Sequence, residues 1–519
     1  MQRTTNNSYH FFGTQIVLLL ICVLPDMAVG QYTHFNEYYL PPAIDWGSGE
    51  STNLLQRGDT LFAVGLHPSE NGYSTYTHVI DNYGNWLSAY QYDLGENLLL
   101  LNYGETILEL DTGYIWAGTF ATNGSNPIIK KMDALFSEQW SNVKDITTDT
   151  TYGSWLAVQK LNDGNYLCSG TIVYDLIPQQ PGSNFSTLIV GKYSETGEEL
   201  WFQELNMSNY EIGQGNSGPF IFPRGGLTEL STGEILVWGI IYNQRDPLAI
   251  KLDMNGNYVD AVKWGNGSQP DGSPWPVPFG NDEFLFAYSH HFQYDSWLDS
   301  YSNKPRVGRL NTISMSVELF PILDHPIANG GILDFEMTPD SGFVALAYGY
   351  DLDLLDNGRA YMLKVDSMGN EEWFHEYYPP VEYDTPTTYD LEVTSDGGLA
   401  FVGNFHVAGE TYYVTWVVKT DACGYEEPSG CPPITDSHAE LVSASLQVWP
   451  NPFSTYLKAV LPANATSMSV TDATGRLVFS EPVFYPNQTW NLSMLADGVY
   501  VMRVEMVGGM MVSSRIVKQ

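Results

Sequence analysis

Positive charge is what this sequence has least of: 22 Lys and Arg stand against 60 Asp and Glu in 519 residues, a net charge of −38. A field of that sign repels nucleic acid and anionic lipid, and it favours solubility and cation attraction. Cysteine is also scarce, with four residues, which is too few for a disulfide-built scaffold. Cys168 lies inside an apolar strand and reads as a buried thiol, whereas Cys423 and Cys431 flank a short Gly/Pro loop and could close a disulfide after export. A metal site needs more ligands than that pair offers. Long apolar runs are missing apart from 11–24, which is too short to span a bilayer. With Arg3 before it and Ala28-Val29-Gly30 after it, that run reads as the core of a signal peptide over 1–30. No transmembrane segment is expected in the mature chain.

What the sequence does contain is aromatic residues, glycine and a repeated pattern. Lys192-Tyr-Ser-Glu-Thr-Gly197-Glu-Glu-Leu-Trp201 reads as a β-hairpin turning at Thr196-Gly197. Related segments are Lys131-Met-Asp133 running to Trp140, Lys251-Leu-Asp253 with Gly256, Lys364-Val-Asp366 with Gly369 and Trp373, and Lys419-Thr-Asp421 with Gly424. Upstream of each is a second signature, a polar turn with Gly followed by an apolar strand, at Gly113, Gly164, Gly233, Gly342 and Gly397. Two hairpin signatures make four strands, and the spacing of the repeats is that of propeller blades. With weaker members near Gly58 and Gly280, the expectation is an all-β chain with about seven blades over 31–433. Lys and Asp two apart share a strand face, which predicts pairing along the sheet, and the Trp is expected to pack between blades.

The last repeat has no fourth strand after Gly424, while Phe35-Asn-Glu-Tyr-Tyr matches Phe374-His-Glu-Tyr-Tyr, which follows Trp373. The N-terminal segment is therefore expected to complete the last blade and close the ring.

Short A–B and C–D turns on one side leave the long B–C and D–A connections on the other, where the repeats are least alike. Those connections carry the candidate ligand-binding residues Tyr174, Asp175, Trp275, His290, Tyr294, Asp295, Trp297 and Tyr383, with His291 beside them. Aromatic rings near carboxylates suit stacking on sugars or apolar groups, with acceptors for hydroxyls. Asp351, Asp353 and Asp356 have the carboxylate density of a Ca2+ loop, although their spacing departs from the EF-hand pattern. Ca2+ is the one cofactor suggested. Gly215-Asn-Ser217-Gly218-Pro219 has neither the second Gly of a protease nucleophile motif nor an assignable His and Asp. No catalytic residue is assigned, so a non-catalytic binding protein for glycan, peptide or surface material is expected first. A polysaccharide hydrolase or lyase using loop carboxylates is the alternative.

The Lys-x-Asp, Gly, Trp hairpins with Asp-Gly turns resemble the delta-60 and quinoprotein-like repeats of bacterial propellers. Thr196, Gly197 and Trp201 match the quinoprotein Thr-Gly-x-x-x-Trp motif, but the vicinal cysteine pair of that family's cofactor site is missing. The resemblance implies the fold and argues against that enzymology.

After a polar linker at 434–445 the charge changes: 31–440 carries 55 acidic and 16 basic residues, and 441–519 carries 4 and 5. Short alternating strands over 446–519 read as a small Ig-like β-sandwich. Trp449-Pro450-Asn451-Pro452, Asp472-Ala-Thr-Gly475, Gly498-Val-Tyr500 and Arg515-Ile-Val-Lys518 resemble the C-terminal sorting domain of cargo of the Bacteroidota type IX secretion system. That resemblance implies the secretion machinery as partner, a secreted or cell-surface destination, and a tail that is usually removed.

Overall fold

The computed structural model describes residues 33–40, 50–69, 72–92, 98–100, 106–121, 125–134, 136–146, 151–175, 184–205, 221–222, 226–241, 246–265, 271–280, 282–295, 300–325, 327–350, 358–410, 412–426, 431, 447–460, 465–472, 476–482, 487–496, 498–506 and 511–519. Its elements are strands, and they fall into groups of four antiparallel strands that follow one another along the chain. The first group is Glu50–Arg57, Thr60–Ser69, Gly72–Asp81 and Trp86–Tyr92, paired in that order. The third is Thr151–Lys160, Tyr166–Asp175, Asn184–Tyr193 and Glu199–Leu205. In the second and fourth groups the innermost strand is interrupted, as Leu98–Leu100 with Ile107–Leu110 and as Ile221–Phe222 with Leu227–Glu229. The seventh is assembled from both ends of the propeller: Tyr383–Val393, Leu399–Val407 and Tyr413–Thr420 are completed by Phe35–Tyr39, which pairs antiparallel with Tyr413–Thr420. The N-terminal strand thus fills the place left empty after Gly424.

Packing makes these groups into a ring. The second strands read as unbroken apolar runs, such as Ile235-Leu-Val-Trp-Gly-Ile-Ile241, because both of their faces are buried. Ile235 and Val237 join a core with Leu167 and Leu188 of the third blade, while Leu236 and Trp238 join a core with Phe284 and Phe286 of the fifth. Among the described residues every consecutive pair of blades shares such a core. The ring closes where Phe35, Ala400, Val402 and Val417 of the last blade pack on Leu54, Leu61, Ala63 and Ile80 of the first. A closed ring of four-stranded antiparallel blades is a β-propeller.

The repeated motifs have different jobs from one another. Trp140 lies over Gly197 of the next blade, Trp201 over Gly256, and Trp373 over Gly424. A Cβ on Gly197 would come within 2.6 Å of the Trp140 ring, and its φ of 85° also favours glycine there. The expected pairing of Lys with the Asp two residues on does not occur at Lys251, Lys364 or Lys419, and in the third blade the residue two after Lys192 is Ser194. Lys192 instead reaches Asp163 (2.6 Å), Lys251 reaches Glu234 (3.7 Å), Lys364 reaches Asp340 (2.9 Å) and Lys419 reaches Asp396 (2.6 Å), all acids of the preceding A–B turn. The reason is that the motif Asp is already engaged: Asp253 accepts the N–H groups of Asn255 and Asn257, each at 2.8 Å, and so holds the C–D turn closed.

The remaining strands, from Gln447–Trp449 to Met511–Lys518, form a three-stranded and a four-stranded sheet around a core of their own that includes Leu457, Met468, Trp490, Met502 and Ile516.

Candidate ligand-binding site on the long-loop side

Strand order fixes which residues gather on the side of the B–C and D–A connections: the start of each third strand, the end of each second and fourth strand, and the linking segments. In the fourth and fifth blades this brings together Asp246 at the start of Asp246–Leu252, Gly265 just after Tyr258–Lys263, Asp271 before Trp275–Pro278, and His290 and His291 late in Glu283–Asp295. Asp246 and Asp271 are both buried, and both carboxylates border Gly265. A Cβ there would lie 2.6 Å from Oδ1 of Asp246 and 3.0 Å from Oδ2 of Asp271. Oδ1 of Asp271 accepts the backbone N–H of His291 at 2.8 Å. It also lies 3.1 Å from Nδ1 of His290, off the line of a hydrogen bond. Nζ of Lys263 lies 3.6 Å from Oδ2 of Asp246. Burial holds the His291 imidazole below the usual histidine range; Asp271 opposes this and His290 adds to it. The cluster is a fixed set of acceptors flanked by imidazoles, which suits hydrogen bonding to hydroxyl groups.

Of the candidates read from sequence, His290 is part of this cluster, and it is half-buried. Trp275 is not a stacking platform. It is buried in the core between the fifth and sixth blades, and its indole N–H donates to the Ile332 carbonyl at 3.0 Å. Tyr383 is half-buried and donates its hydroxyl to the Gly358 carbonyl at 2.9 Å. Tyr174 is half-buried with its hydroxyl on Glu204, and burial, reinforced by that carboxylate, raises its pKa above the usual range. Asp175, Tyr294 and Asp295 end their strands, paired with Asn184, Tyr301 and Ser300, and their side chains are not described. Trp297 and the candidate calcium residues Asp351, Asp353 and Asp356 lie outside the described residues, as does the expected signal peptide.

Sequence reading missed Asp246 and Asp271. Nothing in the repeat marks Asp246, but Asp271 sits in Pro270-Asp271-Gly272, a turn signal shortly before the candidate Trp275. It also missed a second polar group at the sixth blade. Arg359, nearly buried, donates to Glu376 at 2.7 Å and to the Tyr378 hydroxyl, with its guanidinium 4.9 Å from the Tyr378 ring centre.

Cys423 and Cys431 form the expected disulfide, and Cys168 is a buried free thiol. No helix among the described residues is long and apolar enough to cross a membrane.

Residues 447–519 match the family model described as "Secretion system C-terminal sorting domain". This segment is a secretion sorting domain. Within the sorting domain Tyr500 is buried with its hydroxyl on the Ala496 carbonyl at 2.8 Å, Lys518 is buried, Gly498 is half-buried, and Pro450, Asn451 and Pro452 are exposed. Gly475 lies outside the described residues. No curated protein matches the chain in sequence. Solved structures that resemble it include an α-L-arabinofuranosidase of Fusarium graminearum, at 11% identity over 76% of this chain and 100% of that one, with a TM-score of 0.40. Others are a lignostilbene dioxygenase of Pseudomonas brassicacearum, at 11% identity over 75% and 89% with a TM-score of 0.41, and a protein of unknown function from Dyadobacter fermentans, at 9% over 73% and 100% with a TM-score of 0.39. Likenesses this distant carry no argument about chemistry, and the propeller described above rests on strand pairing and packing.

Proposed function

We propose that the chain is a secreted or cell-surface propeller that binds extracellular glycan on its long-loop side without turning it over. In this reading residues 1–30 take it across the inner membrane, and the sorting domain addresses it to the type IX machinery. The disulfide at 423–431 agrees with an oxidising destination. The observation that carries the binding reading is the cluster at Gly265, where Asp271 is held by the His291 N–H beside Asp246 and His290. Buried acceptors fixed before a ligand arrives favour recognition of hydroxyls, because less ordering is needed on binding. Asp334, a carboxyl that burial pushes up to about 6, accepts backbone N–H groups from Phe335 and Leu391, so its role is in the scaffold rather than in proton transfer.

The second reading is a polysaccharide hydrolase or lyase, favoured by the approach of Asp246 and Asp271 to one point at Gly265. A glycan array run with the wild type, Asp271→Asn and His290→Ala separates the two. Binding that weakens by about tenfold for each lost hydrogen bond, with no product from the glycans bound, supports the proposal. Product formation that stops in Asp246→Asn and Asp271→Asn overturns it in favour of the enzyme.

A further inference from the structure

The sequence motifs of the sorting domain are far apart in the chain but meet in the fold. The side-chain amide of Asn451 donates through Nδ2 to the Arg515 carbonyl at 2.8 Å and accepts the Val517 N–H on Oδ1 at 2.8 Å. It therefore reads the backbone of the last strand, Met511–Lys518, as a neighbouring strand would. The pairing continues past the cis Asn451–Pro452 peptide: the Phe453 N–H donates to the Val517 carbonyl at 2.8 Å, and the Gln519 N–H to the Phe453 carbonyl at 2.9 Å. Met511–Lys518 is an edge strand, bonded on its other side to Gly498–Met506. The segment around Asn451 thus covers the half of that edge formed by 515–519.

This placement bears on what a receptor could read. Phe453, Tyr500 and Lys518 are buried, and both ends of the Asn451 amide are occupied. Of the motif side chains Tyr500, Ile516 and Lys518 face inward, while the Pro450-Asn451-Pro452 turn and Arg515 are exposed. We propose that the surface recognised by the secretion machinery is the assembled seam of 450–453 with 515–519, and that Asn451 is the residue that positions it. The partner is a protein receptor of the export machinery that docks on a folded turn and strand edge, rather than on an extended tail. The inference rests on the sorting reading of 447–519.

The test is to express the full chain in a bacterium that has the type IX machinery, and to measure the extracellular fraction together with amide exchange at Val517 and Gln519. Asn451→Ala should exchange at those amides about tenfold or more faster and be retained in the cell, and Asn451→Asp, which keeps only the acceptor, should fall between. Arg503→Ala, at an exposed position on the neighbouring strand, should be exported normally. Unchanged export of Asn451→Ala overturns the proposal, whether or not the seam has opened. Retention without faster exchange also overturns it, because the side chain would then be read directly. If Asn451→Ala does not fold, Asn451→Asp decides by the same two readouts. Equal export of the wild type and a 446–519 deletion would instead refute the sorting reading.

Discussion

The third and seventh blades have the same four-stranded plan, yet one is a continuous stretch of chain and the other is joined from two ends. Where the continuous third blade meets the fourth, apolar packing dominates, and among the described residues the side-chain bonds are Gln159 accepting the Glu229 N–H at 3.0 Å, Glu229 accepting the Asn162 N–H at 2.7 Å and Gln203 donating to the Asn255 carbonyl at 3.3 Å. Among the described residues the seam between the seventh and first blades carries more of them. Asn404 accepts from the Ser51 N–H and donates to the Ser51 carbonyl, Asp390 accepts the Leu54 N–H at 2.7 Å, Gln56 bonds Ser395 twice, and Ser51, Tyr76 and Thr415 share hydroxyl bonds. The third and fourth blades are one continuous stretch of chain, whereas residues 383–420 of the seventh blade are tied to the first through the non-covalent pairing of Phe35–Tyr39 with Tyr413–Thr420, so the two chain ends must be brought together against loop-closure entropy. The difference teaches that the propeller carries additional directional bonds where the two ends of its chain meet.

The largest effect should come from Trp416→Ala. This indole is fully buried in the core between the sixth and seventh blades, and its N–H donates to Asn36 of the closing strand at 2.8 Å. Removing it should cost about 3–5 kcal/mol in denaturant unfolding and should speed amide exchange across 35–39 before other blades open. Uniform opening of all blades would show that the seam is no weaker point than any other joint.

Next comes Lys419→Met. The side chain of Lys419 is fully buried, and it donates to Asp396 at 2.6 Å and to the hydroxyl of Thr33, just ahead of the closing strand, at 2.7 Å. Burial works against the Asp396 charge, but hydrogen bonds from Lys419 and Thr394 outweigh it and hold that carboxyl below the usual range. Truncation leaves Asp396 without its cation, so a loss of about 3 kcal/mol is expected, read as a lower denaturant midpoint.

How much of this was legible beforehand follows from periodicity. The closing strand was readable because Phe35-Asn-Glu-Tyr-Tyr copies Phe374-His-Glu-Tyr-Tyr, and the packing of the hairpin Trp between blades was expected, but the sequence did not point to the next blade's turn Gly as its seat. The target of the motif lysines was not. Lys192 and Ser194 share a face, but the lysine reaches across the sheet to the acid of another turn, and linear spacing does not encode that choice. The candidate site was the least legible part. Trp275 looked like a loop aromatic but belongs to the core, because the innermost strand of the fifth blade begins there. Asp246 and Asp271 come from different blades and meet only after the ring is built.

The seam also has a titrating joint. Asp334 of the sixth blade accepts the Leu391 N–H of the seventh at 2.8 Å and bonds the carboxyl of Asp390, which in turn holds Leu54 of the first. Burial is the main cause that pushes Asp334 up to about 6, so the fold favours its protonated form. The unfolded carboxyl titrates near 4, so this contribution is complete below about pH 4 and is lost as pH rises through about 6, on the order of 3 kcal/mol. Asp334→Asn should remove that slope between pH 4 and 6, measured as the difference between the two stability curves. A difference that stays flat over this window would mean that the pair carries no proton.

The smallest effect is the sharpest check on the comparison, because it uses the same motif in the continuous blade. Lys192 pairs with Asp163 at 2.6 Å, but the lysine side chain is 17% exposed and its partner 46%, against 0% and 17% for Lys419 and Asp396. Solvent screens the outer pair, and holding two mobile side chains together costs entropy, so Lys192→Met should cost less than about 1 kcal/mol and should lose most of that in high salt. Lys419→Met, at the more buried of the two pairs, should keep most of its penalty when salt is added. Equal costs for the two variants, or equal salt dependence, would mean that burial where the two chain ends meet does not set the strength of the pair, and the denser bonding there would then need another cause.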